Sequence, residues 1–178
     1  MWHINAHDIS GLQGQDERFT EFVDSLLRAE MFLASVPDSG IRTNLRTTTP
    51  DGGVDTQLTV PVPGTRGGWC ETPTCWQYKA RGYRGVLAKE RKDDPGKSYA
   101  ASLISAGYGY RLCLADDMPA SKKTEWEKGL SQAVVRLNRS APPPMVVTAG
   151  DLAAWASRYP AVVARFFRPP RVWRLSPC

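Results

Sequence analysis

The sequence predicts an α/β layer fold, a central mixed sheet flanked by helices, from three observations. Helix-period and strand-period segments alternate along the chain. An Asp51-Gly52-Gly53 turn leads into an apolar strand. The stretch from Tyr108 to Ala115, YGYRLCLA, is nearly continuously apolar, as a central strand covered on both faces must be. The predicted order is helix, three strands, helix, strand, helix, strand, helix. At 178 residues the chain fits one domain with a sizeable core.

Each element has its own signal. Residues 1–15 are weakly patterned and read as an N-terminal arm. From Asp16 to Ser35 an apolar stripe (Phe19, Phe22, Val23, Leu26, Leu27, Phe32) recurs at three- and four-residue spacing, so this is the first helix. Pro37 to Gly40 end it. Ile41–Thr47 reads as a strand with Arg42 and Arg46 on one face. The glycine turn leads into a second strand, Val54–Pro61, because glycine accepts the positive φ that tight hairpins need. A loop rich in proline and glycine follows, and Cys75–Ala80 is the third strand. Arg81–Lys97 is polar and strongly basic, with a short helix expected near Val86–Lys92. Further helices are expected at Lys97–Ser105, Ser121–Leu137, Asp151–Arg158 and Pro160–Phe167, with a short strand at Met145–Thr148. Residues 16–167 thus form the domain, and 168–178 read as a tail or a linker.

Composition narrows the functions. No apolar run reaches 18 residues, so no membrane span is expected, and the polar start lacks the order of a signal peptide. A cytoplasmic protein without a membrane partner is the expectation. A net charge of +5 permits a polyanionic partner without demanding one. Cys70 and Cys75 have four residues between them and no second pair follows, so a zinc site is not expected.

The chemistry concentrates where the second and third strands meet. Strand period is two, so Gln77 and Lys79 share a face while Trp76 and Tyr78 fill the other. With the strands adjacent, Asp55 meets that pair. A carboxylate, the Gln77 side-chain oxygen and the neighbouring Tyr78 backbone carbonyl are hard ligands suited to Mg2+ or Mn2+. Lys79 is placed to orient an attacking water. One anionic ligand holds magnesium weakly. Glu21 or Glu17, four apart on the first helix, would supplement it, with Glu71 a weaker candidate. Each of these residues also has a plain structural reading: exposed helix glutamates, edge-strand polar residues and a turn acid. Arg42, Arg46, Arg81, Arg84 and Lys92 surround the site in sequence and suit phosphate-backbone contacts, as do Arg66, Lys89, Arg91 and Lys97. Trp69 and Tyr83 are candidates for stacking on a splayed base.

At Gly53-Val54-Asp55, followed by Gln77-Tyr78-Lys79, the sequence resembles the PD-(D/E)xK nuclease superfamily. Within it the likeness is to Mrr-type restriction endonuclease catalytic domains, in which glutamine replaces the usual glutamate. The helix before the turn adds to the likeness, and the covered core runs roughly from Asp16 to Ala115. The resemblance implies a restriction-endonuclease-like three-layer fold. It also implies metal ligation by Asp55 and Gln77, catalysis by Lys79, and cleavage of DNA phosphodiester bonds, with duplex DNA and low sequence specificity expected. It departs at Thr20, where the family often carries a glutamate, leaving Glu17 or Glu21 to substitute. Such domains are fused to sensor or motor NTPases in bacterial antiphage defence, which implies an N-terminal effector, a fused or associated NTPase partner, and a homo-oligomer for two-strand cutting. The alternative expectation is a catalytically silent nucleic-acid-binding or assembly domain that keeps the fold.

Overall fold

The computed structural model describes residues 4–44, 52–80 and 99–167. Five strands form one mixed sheet in sequence order: β1 (Ile41–Thr43), β2 (Thr56–Leu58), β3 (Thr74–Lys79), β4 (Gly109–Leu114) and β5 (Met145–Val147). The first three run antiparallel as a meander, while β4 and β5 are parallel to β3. Helices α1 (Ala6–Ser10), α2 (Asp16–Leu33), α3 (Tyr99–Ser105), α4 (Ala120–Leu137), α5 (Ala149–Ala156) and α6 (Pro160–Phe167) cover its two faces. A parallel pair needs a crossover, and α3 and α4 supply those between β3, β4 and β5.

Strand alternation sorts the side chains into two cores. Trp76, Tyr78, Cys113 and Val147 face α1, α2, α5 and α6, together with Phe19, Phe22, Leu26 and Trp155. Cys75, Leu112, Leu114 and Val146 face α3 and α4, against Leu103, Ile104, Trp126 and Leu130. The predicted alternation of β3 and the two-sided covering of β4 are therefore present in the structure.

Several boundaries differ from the sequence pattern for identifiable reasons. The stretch before α2 is packed: Asn5 accepts from the His7 and Asp8 amides, forming a capping box with Asp8, and Ile9 and Leu12 enter the core. Five residues are too few to show a helical period. Helix α5 is capped by Thr148, with Asp151 as the reciprocal residue of the box, not the cap itself. Helix α4 begins at Ala120 after Pro119, with no side-chain cap from Ser121. Strand β2 is only three residues long, because Asp55 already leaves the ladder. Residues 45–47 of the predicted first strand, the following residues 48–51 with Asp51 of the turn, the segment 81–98 and the tail 168–178 lie outside the described residues.

Candidate metal centre at the β2–β3 junction

The Gly52-Gly53 turn aims Asp55 at β3. Both glycines have positive φ, +64° and +84°. A Cβ on Gly52 would stand 2.8 Å from the Tyr99 Cβ, so the turn also lies close against the start of α3. The Ala100 amide donates to the Gly52 carbonyl at 3.1 Å, tying the turn to that helix. Asp55 itself donates its amide to the Trp76 carbonyl at 2.8 Å. The regular β2–β3 ladder stops at the Thr56–Trp76 pair. Two residues further along β3, the Tyr78 amide donates to Asp55 Oδ2 at 2.6 Å. A carboxylate thus replaces main chain as the acceptor where the strands part, in a short charge-assisted bond.

Gln77 flanks that bond and is buried, at 6 % exposure. The Tyr110 hydroxyl, from neighbouring β4, donates to its Oε1 at 2.5 Å. The Gln77 Nε2 lies on the other side, 3.7 Å from where a Cβ on Gly53 would stand. Two residues on, half-buried Lys79 shares the Gln77 face by strand period, at the C-terminal end of β3. The same face holds a second buried amide. Gln57 accepts from the Tyr99 hydroxyl at 2.9 Å and donates to the Tyr108 hydroxyl at 3.2 Å. Three tyrosines thus hold two glutamines beside Asp55.

The opposite face of the same strands carries a chain of paired polar groups. Thr43 donates to Asp24 Oδ1 at 2.6 Å, Thr56 donates to Thr43 at 3.0 Å, and Arg28 donates to Asp24 Oδ2 at 2.8 Å. The Tyr78 ring stands edge-on to Phe19, at 6.3 Å and 78°. Burial pushes the Tyr78 phenol well above its ordinary pKa, so it stays protonated.

The helix glutamates lie elsewhere. Glu17 and Glu21 line an open groove of about 690 Å³ between α2 and α6, with Arg18, Arg165 and Phe166. Glu21 Oε2 is 3.7 Å from the Arg165 guanidinium, both side chains being well exposed. The α2 carboxylates turned inward are Asp24 and Glu30. Glu30 accepts from Trp155 Nε1 at 2.6 Å and Arg158 at 3.1 Å. Glu71 is exposed in the loop before β3.

Of the five cationic residues singled out for nucleic acid, Arg42 is described. It is exposed, and its Cα is paired with that of Gln57 across β1 and β2, which puts it on the Gln77 face. Arg46, Arg81, Arg84 and Lys92 lie outside the described residues, as do Lys89, Arg91, Lys97 and Tyr83. Arg66 donates to the Ala154 carbonyl at 3.4 Å, on the α5 side. Trp69 is buried against Trp155, with ring centroids 5.3 Å apart, so it is packing and not an exposed stacking platform.

The donor set at the junction is all hard oxygen: the Asp55 carboxylate, the Gln77 amide oxygen and the Tyr78 carbonyl. That chemistry fits Mg2+ or Mn2+ held with several waters. It contains a single carboxylate, and among the described residues no group of three or more His, Cys, Asp or Glu could hold a metal ion. The tyrosine cluster was not read from sequence. Its signal was the Tyr108-x-Tyr110 spacing, which places both rings on one strand face beside the predicted site.

Comparison with protein-family models, with curated proteins and with solved structures finds no match for this chain.

Proposed function

We propose that this chain is a Mg2+- or Mn2+-dependent endonuclease that hydrolyses phosphodiester bonds of DNA. The observation that carries the reading is the junction itself. Asp55 reaches across to the Tyr78 amide, next to Gln77, with Lys79 two residues along the same face. The surrounding order of helix, three-stranded meander, helix and parallel strand is the order the sequence predicts for the stretch that carries the PD-(D/E)xK resemblance. This supports a restriction-endonuclease-like arrangement of the Mrr type.

Asp55, Gln77 Oε1 and the Tyr78 carbonyl would hold the cation. When bound, it supplies charge neutralisation at the scissile phosphate and acidifies a water. Lys79 orients the attacking water and offsets the phosphate charge. Asp55 is held in place by the Tyr78 amide, and Gln77 by Tyr110, so neither has to be ordered when substrate arrives. Arg42 contacts the phosphate backbone beside the site. Glu21 and Glu17 would reach the cation only by leaving the α2–α6 groove, so Asp55 is the principal anionic ligand. The reading extends, on the resemblance alone, to duplex DNA cut with low sequence specificity by an oligomer. It likewise extends to a role as the effector of a bacterial antiphage protein with an NTPase partner.

A second reading is a nucleic-acid-binding or assembly domain without catalysis. It is favoured by one observation: Asp55 Oδ2 and Gln77 Oε1 each already accept a hydrogen bond from the protein. Incubation of supercoiled plasmid with Mg2+ or Mn2+, beside an EDTA control and Lys79→Ala, separates the two. Metal-dependent nicking lost in the variant supports the nuclease. DNA binding without cleavage by the folded parent, with and without its full oligomer, supports the silent domain.

A further inference from the structure

We propose that Tyr110 is the positioning residue of the cation site, setting the Gln77 amide through its hydroxyl. The inference deepens the nuclease reading and rests on it. Gln77 is the weakest member of the donor set, because an amide oxygen carries no net charge and the amide can turn over to present nitrogen instead. Something must therefore hold the plane and the χ angles of the side chain. Tyr110 is a buried group in direct contact with it. It is buried at 3 % exposure on β4, and its hydroxyl donates to Gln77 Oε1 at 2.5 Å.

The backbone register makes the contact reproducible. Cys75 pairs with Tyr110 and Gln77 with Leu112 in the parallel β3–β4 ladder. Tyr110 and Gln77 thus lie on one sheet face, in the interior of the fold, on strands that cannot slide without exposing the core. The Gln77 amide is bracketed between this hydroxyl and the Gly53 turn, where a Cβ would already approach Nε2 to 3.7 Å. A hydroxyl is also the right group for the task. An amide oxygen has two lone pairs, so Gln77 Oε1 can keep the Tyr110 bond and still face a cation. A phenylalanine would fill the space and leave that bond to Oε1 unmade. Second partners of this kind typically change metal affinity or activity by about 10–100-fold when removed.

The test is Mn2+ affinity of the whole chain, read by electron paramagnetic resonance of free Mn2+, for the parent, Tyr110→Phe, Gln77→Ala and the double variant. Thermal melting is recorded alongside. The expected result is about tenfold weaker Mn2+ binding in Tyr110→Phe, with little further loss when Tyr110→Phe is added to Gln77→Ala. A merely structural tyrosine would give the same loss in both backgrounds, and that result overturns the proposal. Unchanged affinity in Tyr110→Phe also overturns it while leaving the nuclease reading standing. No Mn2+ binding by the parent, or binding indifferent to Asp55→Ala, overturns the cation reading and this inference together. Should Tyr110→Phe melt low, all four titrations are run at one temperature below its melting midpoint, where every variant is folded.

Discussion

Strand β3 shows two different environments on its two faces. On one side Trp76 and Tyr78 enter an aromatic core, where Trp76 stacks near Trp155 at 6.2 Å and Tyr78 meets Phe19 edge-on. The buried carboxylates there, Asp24 and Glu30, each have an arginine partner. On the other side Gln77 and Lys79 share a face with Gln57, and the buried amides are held by neutral tyrosine hydroxyls. The first face is what a fold needs, since apolar burial with saturated charges is stabilising. The second spends interior space on amides that aliphatic side chains could fill at lower desolvation cost. That asymmetry, on one strand, points to the Gln77 face as the working face.

If the faces divide the labour, substitutions should separate activity from stability. The largest activity effect is expected on the working face. Lys79→Ala should lower plasmid cleavage by roughly 10²–10⁴-fold, and Asp55→Ala comparably, with a melting temperature close to the parent for Lys79→Ala. The largest stability effect belongs to the other face. Trp76→Ala removes a fully buried ring and should cost about 3–5 kcal/mol, seen as a lower urea midpoint. Cleavage per folded molecule should change far less than in Lys79→Ala.

How much of this division was legible beforehand follows from the physics of each residue. The period of two along Cys75–Ala80 and the glycine turn before Asp55 are local signals, and the sequence pattern located the β2–β3 junction from them. The inward turn of Asp24 and Glu30, instead of Glu17 and Glu21, was not legible. All four lie on the same helix, and which of them turns inward depends on what docks there: Thr43 of β1 donates to Asp24, and Trp155 of α5 donates to Glu30. Arg111 was another silent case. It interrupts an apolar strand, yet it is buried, donating to the Trp69, Tyr110 and Pro143 carbonyls at 2.7–3.2 Å. Two of those acceptors, Trp69 and Pro143, come from loops whose paths no periodicity announces. Burial lowers the Arg111 pKa as a consequence.

Smaller effects sharpen the comparison. The Cys70 and Cys75 thiols are each pushed up to about 12, burial outweighing the lowering effect of Arg111. Both are protonated in the fold and ionise more readily once unfolded, near 9. Their contribution to stability is thus intact below pH 9 and is lost as pH rises from 9 towards 12. Urea midpoints recorded across that range should fall, and Cys70→Ser together with Cys75→Ser should flatten the fall. Thr148→Ala deletes the capping box of α5 and should cost about 1 kcal/mol, again without touching cleavage. Smallest of all, Glu21→Ala breaks an exposed ion pair with Arg165 and should change stability by less than about 1 kcal/mol. It should leave cleavage within about twofold; a loss as deep as that of Asp55→Ala would bring Glu21 into the cation site and redraw the division between the faces.

The most direct measurement is an anomalous difference map from crystals of the parent chain soaked in Mn2+. The account predicts a peak at the β2–β3 junction in coordination contact with Asp55, Gln77 Oε1 and the Tyr78 carbonyl. A peak confined to the α2–α6 groove at Glu17 and Glu21, or no peak at the junction at saturating Mn2+, would contradict it.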